Sequence, residues 1–112
     1  AARARFVNFT ALAQLAGTLH KEAEQCGLSK KDDPFFAPGG KLHTALLRGL
    51  KSSADAAALN LDRQKIAETA AAAYAKGRAT SEKLFTAQGC TPEAKEKIAQ
   101  TKQWLLQTAA QQ

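Results

Sequence analysis

Phe9, Leu12, Ala16, Leu19, Ala23 and Cys26 recur at spacings of three and four along the first quarter of the chain. A helix puts all six on one face, whereas a strand would scatter them over both. Three further stretches carry the same period, so the sequence predicts an all-α fold of four amphipathic helices.

The ends of these helices carry recognisable stop and start signals. The first helix is expected over about residues 4–26. Gly27 supplies a left-handed C′ residue, and Leu28 follows as its hydrophobic C″ partner. The second, over about 41–59, turns Leu42, Leu46, Gly49 or Leu50, Ala54 and Ala57 or Ala58 inward. Asn60, tolerant of the left-handed conformation, marks its stop. Asp62 is a good N-cap for the third helix, with Leu61 and Ile66 placed as a hydrophobic staple. That helix is expected over 62–88, with Ile66, Ala70, Ala73 or Tyr74, Gly77, Thr80 or Ser81, and Leu84 on its inner face and Gly89 at its end. Gly77 costs about 1 kcal/mol against alanine in a helix interior, which points to a close helix crossing there. Thr91-Pro92-Glu93 reads as N-cap, N1 proline and acidic first turn of a fourth helix over about 92–109. Its inner residues are Ala94, Ile98, Thr101, Leu105 and Thr108, flanked by Trp104 and Leu106.

Short links around 59–62 and 88–92 force each helix to reverse on the one before. The expected architecture is an up-and-down antiparallel four-helix bundle, one domain over residues 1–112, with consecutive helices as neighbours. Cys26 ends helix one and Cys90 lies between helices three and four, so the topology brings both to the same end. They are expected to form a disulfide. The composition, 45% hydrophobic but only 6% aromatic, gives a thin, alanine-rich core for which such a staple matters. A disulfide implies an oxidising compartment, so the expected location is periplasmic or secreted. Ala1-Ala2 suits the small-residue side of a signal-peptide cleavage site. No stretch approaches the roughly 20 apolar residues that span a bilayer.

The net charge is +6 and the pI about 9.6, which permits attraction to nucleic acid, anionic surfaces or acidic proteins. The cations are spread along the chain among acidic residues, as on a solvated helical surface. Gly39-Gly40-Lys41 does not make a phosphate-binding loop. Pro34 and Phe35 stand where an earlier glycine is needed, and Leu42 stands where the Ser or Thr after the lysine should be. His20 and His43 lack a second ligand at metal-site spacing, and His20, beside Lys21 and Glu22, reads as outward-facing. No metal or cofactor is implied. Ser52, Ser53, Asp55 and His43 lie on one helix without a pocket or oxyanion donors, so no catalytic constellation is assigned and an enzyme is not expected. Asn8-Phe9-Thr10 matches a glycosylation sequon, here read as a chance match.

One stretch is not helical: Lys30-Lys31-Asp32-Asp33-Pro34-Phe35-Phe36-Ala37-Pro38-Gly39-Gly40-Lys41. Its two phenylalanines can plug the open end of the bundle or serve as an aromatic anchor in a charged rim, which is the composition of a binding hot spot. In an extended segment one ring would point in and the other out. The expected function is therefore a non-enzymatic exported module that binds another protein, of inhibitor, immunity or secretion-accessory type. Its contact residues would be Phe35, Phe36, Lys30, Lys31 and Lys41. Trp104 and Leu106 offer a second face, on which a homodimer could form. Two alternatives are a basic protein that binds nucleic acid or an anionic surface, and a carrier of an apolar ligand in the bundle core.

Overall fold

A computed structural model of the chain describes residues 1–111. Four helices, α1 (Ala2–Gln25), α2 (Lys41–Ala56), α3 (Arg63–Leu84) and α4 (Pro92–Ala110), make up the fold, with a 3-10 turn at Ala87–Gly89 before α4. Consecutive helices reverse direction, as the short links require, and the result is an elongated bundle 45 × 24 × 24 Å in extent.

The helix ends are largely as their sequence signals dictate. Gly27 takes a φ of +73°. The Leu28 N–H returns to the Ala23 carbonyl at 2.8 Å and the Gly27 N–H to Glu24 at 3.1 Å, which is a Schellman stop. Asp62 caps α3 through the Lys65 N–H at 2.9 Å, and Thr91 caps α4 through the Ala94 N–H at 3.1 Å. Two ends differ from expectation. Helix α2 stops three residues early because Ala58, not Asn60, is the first left-handed residue (φ 56°). The Leu59 N–H then closes onto the Ala54 carbonyl at 3.0 Å. Helix α3 stops at Leu84, where Phe85 turns extended, and Leu84 itself is 76% exposed rather than inward.

The arrangement of neighbours explains the early end of α3. Helices α3 and α4 make little direct contact, whereas α1 packs against α2, α3 and α4, and α2 packs against α3 and α4. The cross-section is a rhombus with α1 and α2 on its short diagonal, and α3 and α4 at its far corners. For helices roughly 9 Å apart, the long diagonal is on the order of 15 Å. Residues 85–91 are the chain that crosses it. A helix continued to residue 88 would leave three residues for the crossing, about 10 Å of reach. The expectation that helices three and four are neighbours is thus corrected, while the alternating directions stand.

The tightest contact joins α1 and α3, which run parallel. The Thr18 hydroxyl lies 3.2 Å from the Gly77 carbonyl. Further up, Ser81 donates to the Gln25 side-chain oxygen at 3.2 Å. A Cβ on Gly77 would overlap the Gln14 carbonyl, and one on Gly17 would overlap the Tyr74 carbonyl. Backbone rests on backbone here, so a core of Ala13, Ala16, Ala70 and Ala73 can exclude water without large side chains. On the other side of α1 the Phe9 ring occupies the space above Gly49, where any side chain would collide with it. At the far end, Cys26 and Cys90 form the expected disulfide, with Cα atoms 5.5 Å apart.

Candidate functional site

The stretch between α1 and α2 folds as a chain of turns. Asp33 organises it. One carboxylate oxygen accepts from the Phe35 N–H at 2.9 Å and the other from the Ser29 hydroxyl at 2.6 Å. Burial alone would push the Asp33 carboxyl up. The two hydrogen bonds, with Lys102 nearby, outweigh it and hold the group below its ordinary value. Gly39 takes φ +85°, and its N–H is held by His43 Nδ1 at 3.3 Å. Gly40 lies so close to the Pro34 carbonyl that a Cβ would sit 2.8 Å from it. The Gly-Gly pair is therefore the hinge that folds the loop back onto the start of α2.

His20 anchors this loop to the bundle, and its burial corrects the outward placement read from its charged neighbours. It is 3% exposed. Nε2 lies 2.8 Å from the Lys30 carbonyl, which can only accept, so the network assigns the ring proton to Nε2. Nδ1 is then the acceptor for the Tyr74 hydroxyl. Phe36 stacks flat on the imidazole, centroids 4.3 Å apart and planes at 10°. Phe35 stands edge-on to Phe36 at 4.8 Å. Lys102 of α4 closes the assembly, its Nζ 4.6 Å from the centre of the Phe35 ring. Each such cation–π contact contributes on the order of 0.5–1 kcal/mol near a surface.

Both rings thus face the bundle, Phe36 buried and Phe35 half-buried. The alternation expected of an extended segment fails because this segment turns. Lys30, Lys31 and Lys41 are exposed, and Trp104 is 52% exposed. Trp104 is not brought to the loop. It lies beside Arg5, Asn8, Leu12 and Thr108 in a separate recess between α1 and α4. Behind His20, Glu24 accepts from the Arg78 guanidinium. Burial pushes the Glu24 carboxyl up, but Arg78, with Lys21, holds it below its ordinary value. Burial pushes the Tyr74 hydroxyl above its ordinary value, against the pull of Arg78.

The loop, α2 and α3 enclose a groove of about 430 Å³, a size typical of binding clefts. Its floor is Ala13 and His20 of α1, and its walls are Leu46 of α2 and Ala70, Ala71 and Tyr74 of α3. Phe36, Ala37 and Pro38 roof it, with Lys31, Asp32 and His43 at its mouth. The groove exists because α3 presents alanines where α2 and α3 diverge from their short connection. Methyl side chains cannot fill the gap. Its surface is mostly apolar, and its buried polar atoms are engaged with one another. Among the described residues, no buried side-chain nitrogen or oxygen lacks a hydrogen-bond partner. Such a surface can receive an apolar group and fix it through a few polar contacts at the rim.

Sequence reasoning placed Ala73 or Tyr74 inward but gave Tyr74 no role, and it missed the burial of His20. The signal was present: His20 lies four residues after Ala16 and three before Ala23, on the inward stripe itself. No family model, curated protein or solved structure matches the chain.

Proposed function

We propose that this chain is a non-enzymatic binding module of an oxidising compartment, periplasmic or extracellular, that captures another protein. It does so by receiving an apolar segment of that protein in the groove beneath the 30–41 loop. The observation that supports this reading is the groove itself, an apolar cleft whose roof is pinned by His20, Phe36 and Lys102 before any partner arrives. A preformed site avoids the entropy of ordering a loop on binding, which is one of the costs an interface must offset. The disulfide 64 residues apart in sequence fixes the same end of the bundle.

Selection of a random peptide library on the folded protein tests the reading. Ala71 is exposed and lines the groove, so Ala71→Trp should fill the cleft at little cost in stability. Enriched peptides should bind the wild type and lose at least tenfold in affinity for the Trp variant. Peptides that bind both proteins equally would defeat the proposal.

The volume of the cleft also favours a second reading, a carrier of a small apolar ligand, because about 300–1,000 Å³ is the usual range for such sites. A fluorescent apolar probe displaced by Ala71→Trp, with no peptide enriched, would select that reading.

A further inference from the structure

We infer that the partner segment is acidic as well as apolar, and that it lies along the α2–α3 seam with its carboxylates on Arg48 and Arg63. This rests on the groove reading above and names the chemistry of what enters it. The seam holds a second recess, of about 410 Å³, directly before the groove. On α3 its wall is Arg63 and Ile66, the first turn, whereas the groove's wall is Ala70 to Tyr74. The two recesses therefore follow one another along α3, with Ile66 and Tyr74 about 12 Å apart at the rise of a helix. The floor of the second recess is apolar, from Leu47 and Ile66, and its rim is cationic, from Arg48, Lys51 and Arg63.

Two of these three cations are not spent on the fold. Lys51 is engaged by Asp55 at 2.9 Å and by the Leu61 carbonyl at 3.0 Å. Arg48 and Arg63 have no carboxylate within salt-bridge distance among the described residues. Arg63 is the first residue of α3, and Lys41, two turns before Arg48 on the same row, is the first residue of α2. Neither helix has an acidic residue in its first turn. A cation at a helix N-terminus opposes the positive end of the helix dipole. Arg63 and Lys41 thus occupy positions that the helix dipole disfavours, and both face solvent. A guanidinium fork matches a carboxylate through two parallel hydrogen bonds. The apolar floor favours a peptide over nucleic acid, because the recess offers no aromatic ring on which a base could stack.

The test uses the peptide library described above, selected in parallel on the wild type, on Arg48→Glu/Arg63→Glu and on Arg48→Gln/Arg63→Gln. A fluorescein-labelled DNA duplex and vesicles rich in phosphatidylglycerol serve as competing probes. The thermal midpoints of the variants establish that each is folded, and Arg63→Glu should if anything raise stability. Peptides enriched on the wild type should carry a net negative charge, and the glutamate variant should lower their affinity at least tenfold and the glutamine variant by a smaller factor. Neutral or basic peptides that still fail on Ala71→Trp would overturn the acidic partner and leave the groove reading intact. Acidic peptides that respond to the arginines but not to Ala71→Trp would overturn the groove reading, and with it the placement along a continuous seam. Duplex or vesicle binding that is tighter than any peptide and abolished by the glutamate variant would replace the peptide with that anion.

Discussion

Replacing both Cys26 and Cys90 by serine should cost about 4 kcal/mol of folding free energy. The bridge links residues 64 apart. In the chain-entropy treatment, closing a loop of that length in the unfolded chain is worth about 4 kcal/mol near room temperature. A domain of this size has on the order of 5–15 kcal/mol in total, so the bridge is a large share of it. The structure explains why that share is not supplied by other contacts. Helix α4 touches α3 very little, and the segment that joins them, residues 85–91, is almost wholly exposed. The disulfide ties Cys90, just before α4, to Cys26 at the end of α1. Urea unfolding followed by far-UV circular dichroism measures the effect. With a slope of roughly 1.5–2 kcal/mol per molar, the midpoint should fall by roughly 2–3 M, and reduced wild type should behave like the double variant. A loss below about 1 kcal/mol would refute the reasoning, since it would mean that the unfolded chain gains nothing when the loop is opened.

Three other outcomes follow from the site and the helix ends. His20→Leu leaves the half-buried Tyr74 hydroxyl without its acceptor, at about 1–3 kcal/mol, whereas the Lys30 carbonyl keeps the Asp33 N–H at 3.1 Å and the Ser29 hydroxyl at 3.2 Å. Urea titration should show a loss of about 1–3 kcal/mol, and proton spectra should show the Phe36 ring released from its ring-current environment. Ala58→Gly relieves a left-handed alanine that costs about 1–2 kcal/mol, offset in part by the greater freedom of unfolded glycine. Calorimetry should find the thermal midpoint raised by about 2–4 °C. Acid should destabilise the fold through Glu24 and Asp33, whose carboxyls are held below their ordinary values of 4.5 and 3.8. Their contribution is full above those values and is lost as pH falls through the depressed ones. Glu22, raised chiefly by burial, works the other way and recovers a little stability on protonation. Thermal midpoints measured from neutral pH downward should therefore drop below about pH 4, and Glu24→Gln should make the drop shallower.

The fold was legible wherever one residue type answers one backbone demand. Gly27, Asp62 and Thr91-Pro92 each announced a helix end because few other residues can satisfy those geometries. Gly77 announced a close crossing for the same reason. Ala58 gave no such notice, since alanine in the left-handed region is a strained choice made by the surrounding chain. The neighbour relations were not legible either. Alternating direction follows from link length, but which helices touch depends on where small residues let backbones meet, and Gly17 and Gly77 pull α3 onto α1. The site was half legible. The Phe35-Phe36 pair was recognised, but its partner His20 was assigned from the charged residues beside it rather than from the stripe it shares with Ala16 and Ala23. The groove could not be foreseen, because it is made by what the alanines of α3 leave unfilled.

The contact between α1 and α3 has an evolutionary corollary. Where carbonyl groups lie against glycine hydrogens, no second substitution can compensate the first, because there is no neighbouring side chain to shrink. Descendants of this sequence are therefore free to vary the outer faces of α2 and α4, but must keep Gly17 and Gly77 or lose the pairing. The protein is built as an invariant spine of two parallel helices that carries two exchangeable ones.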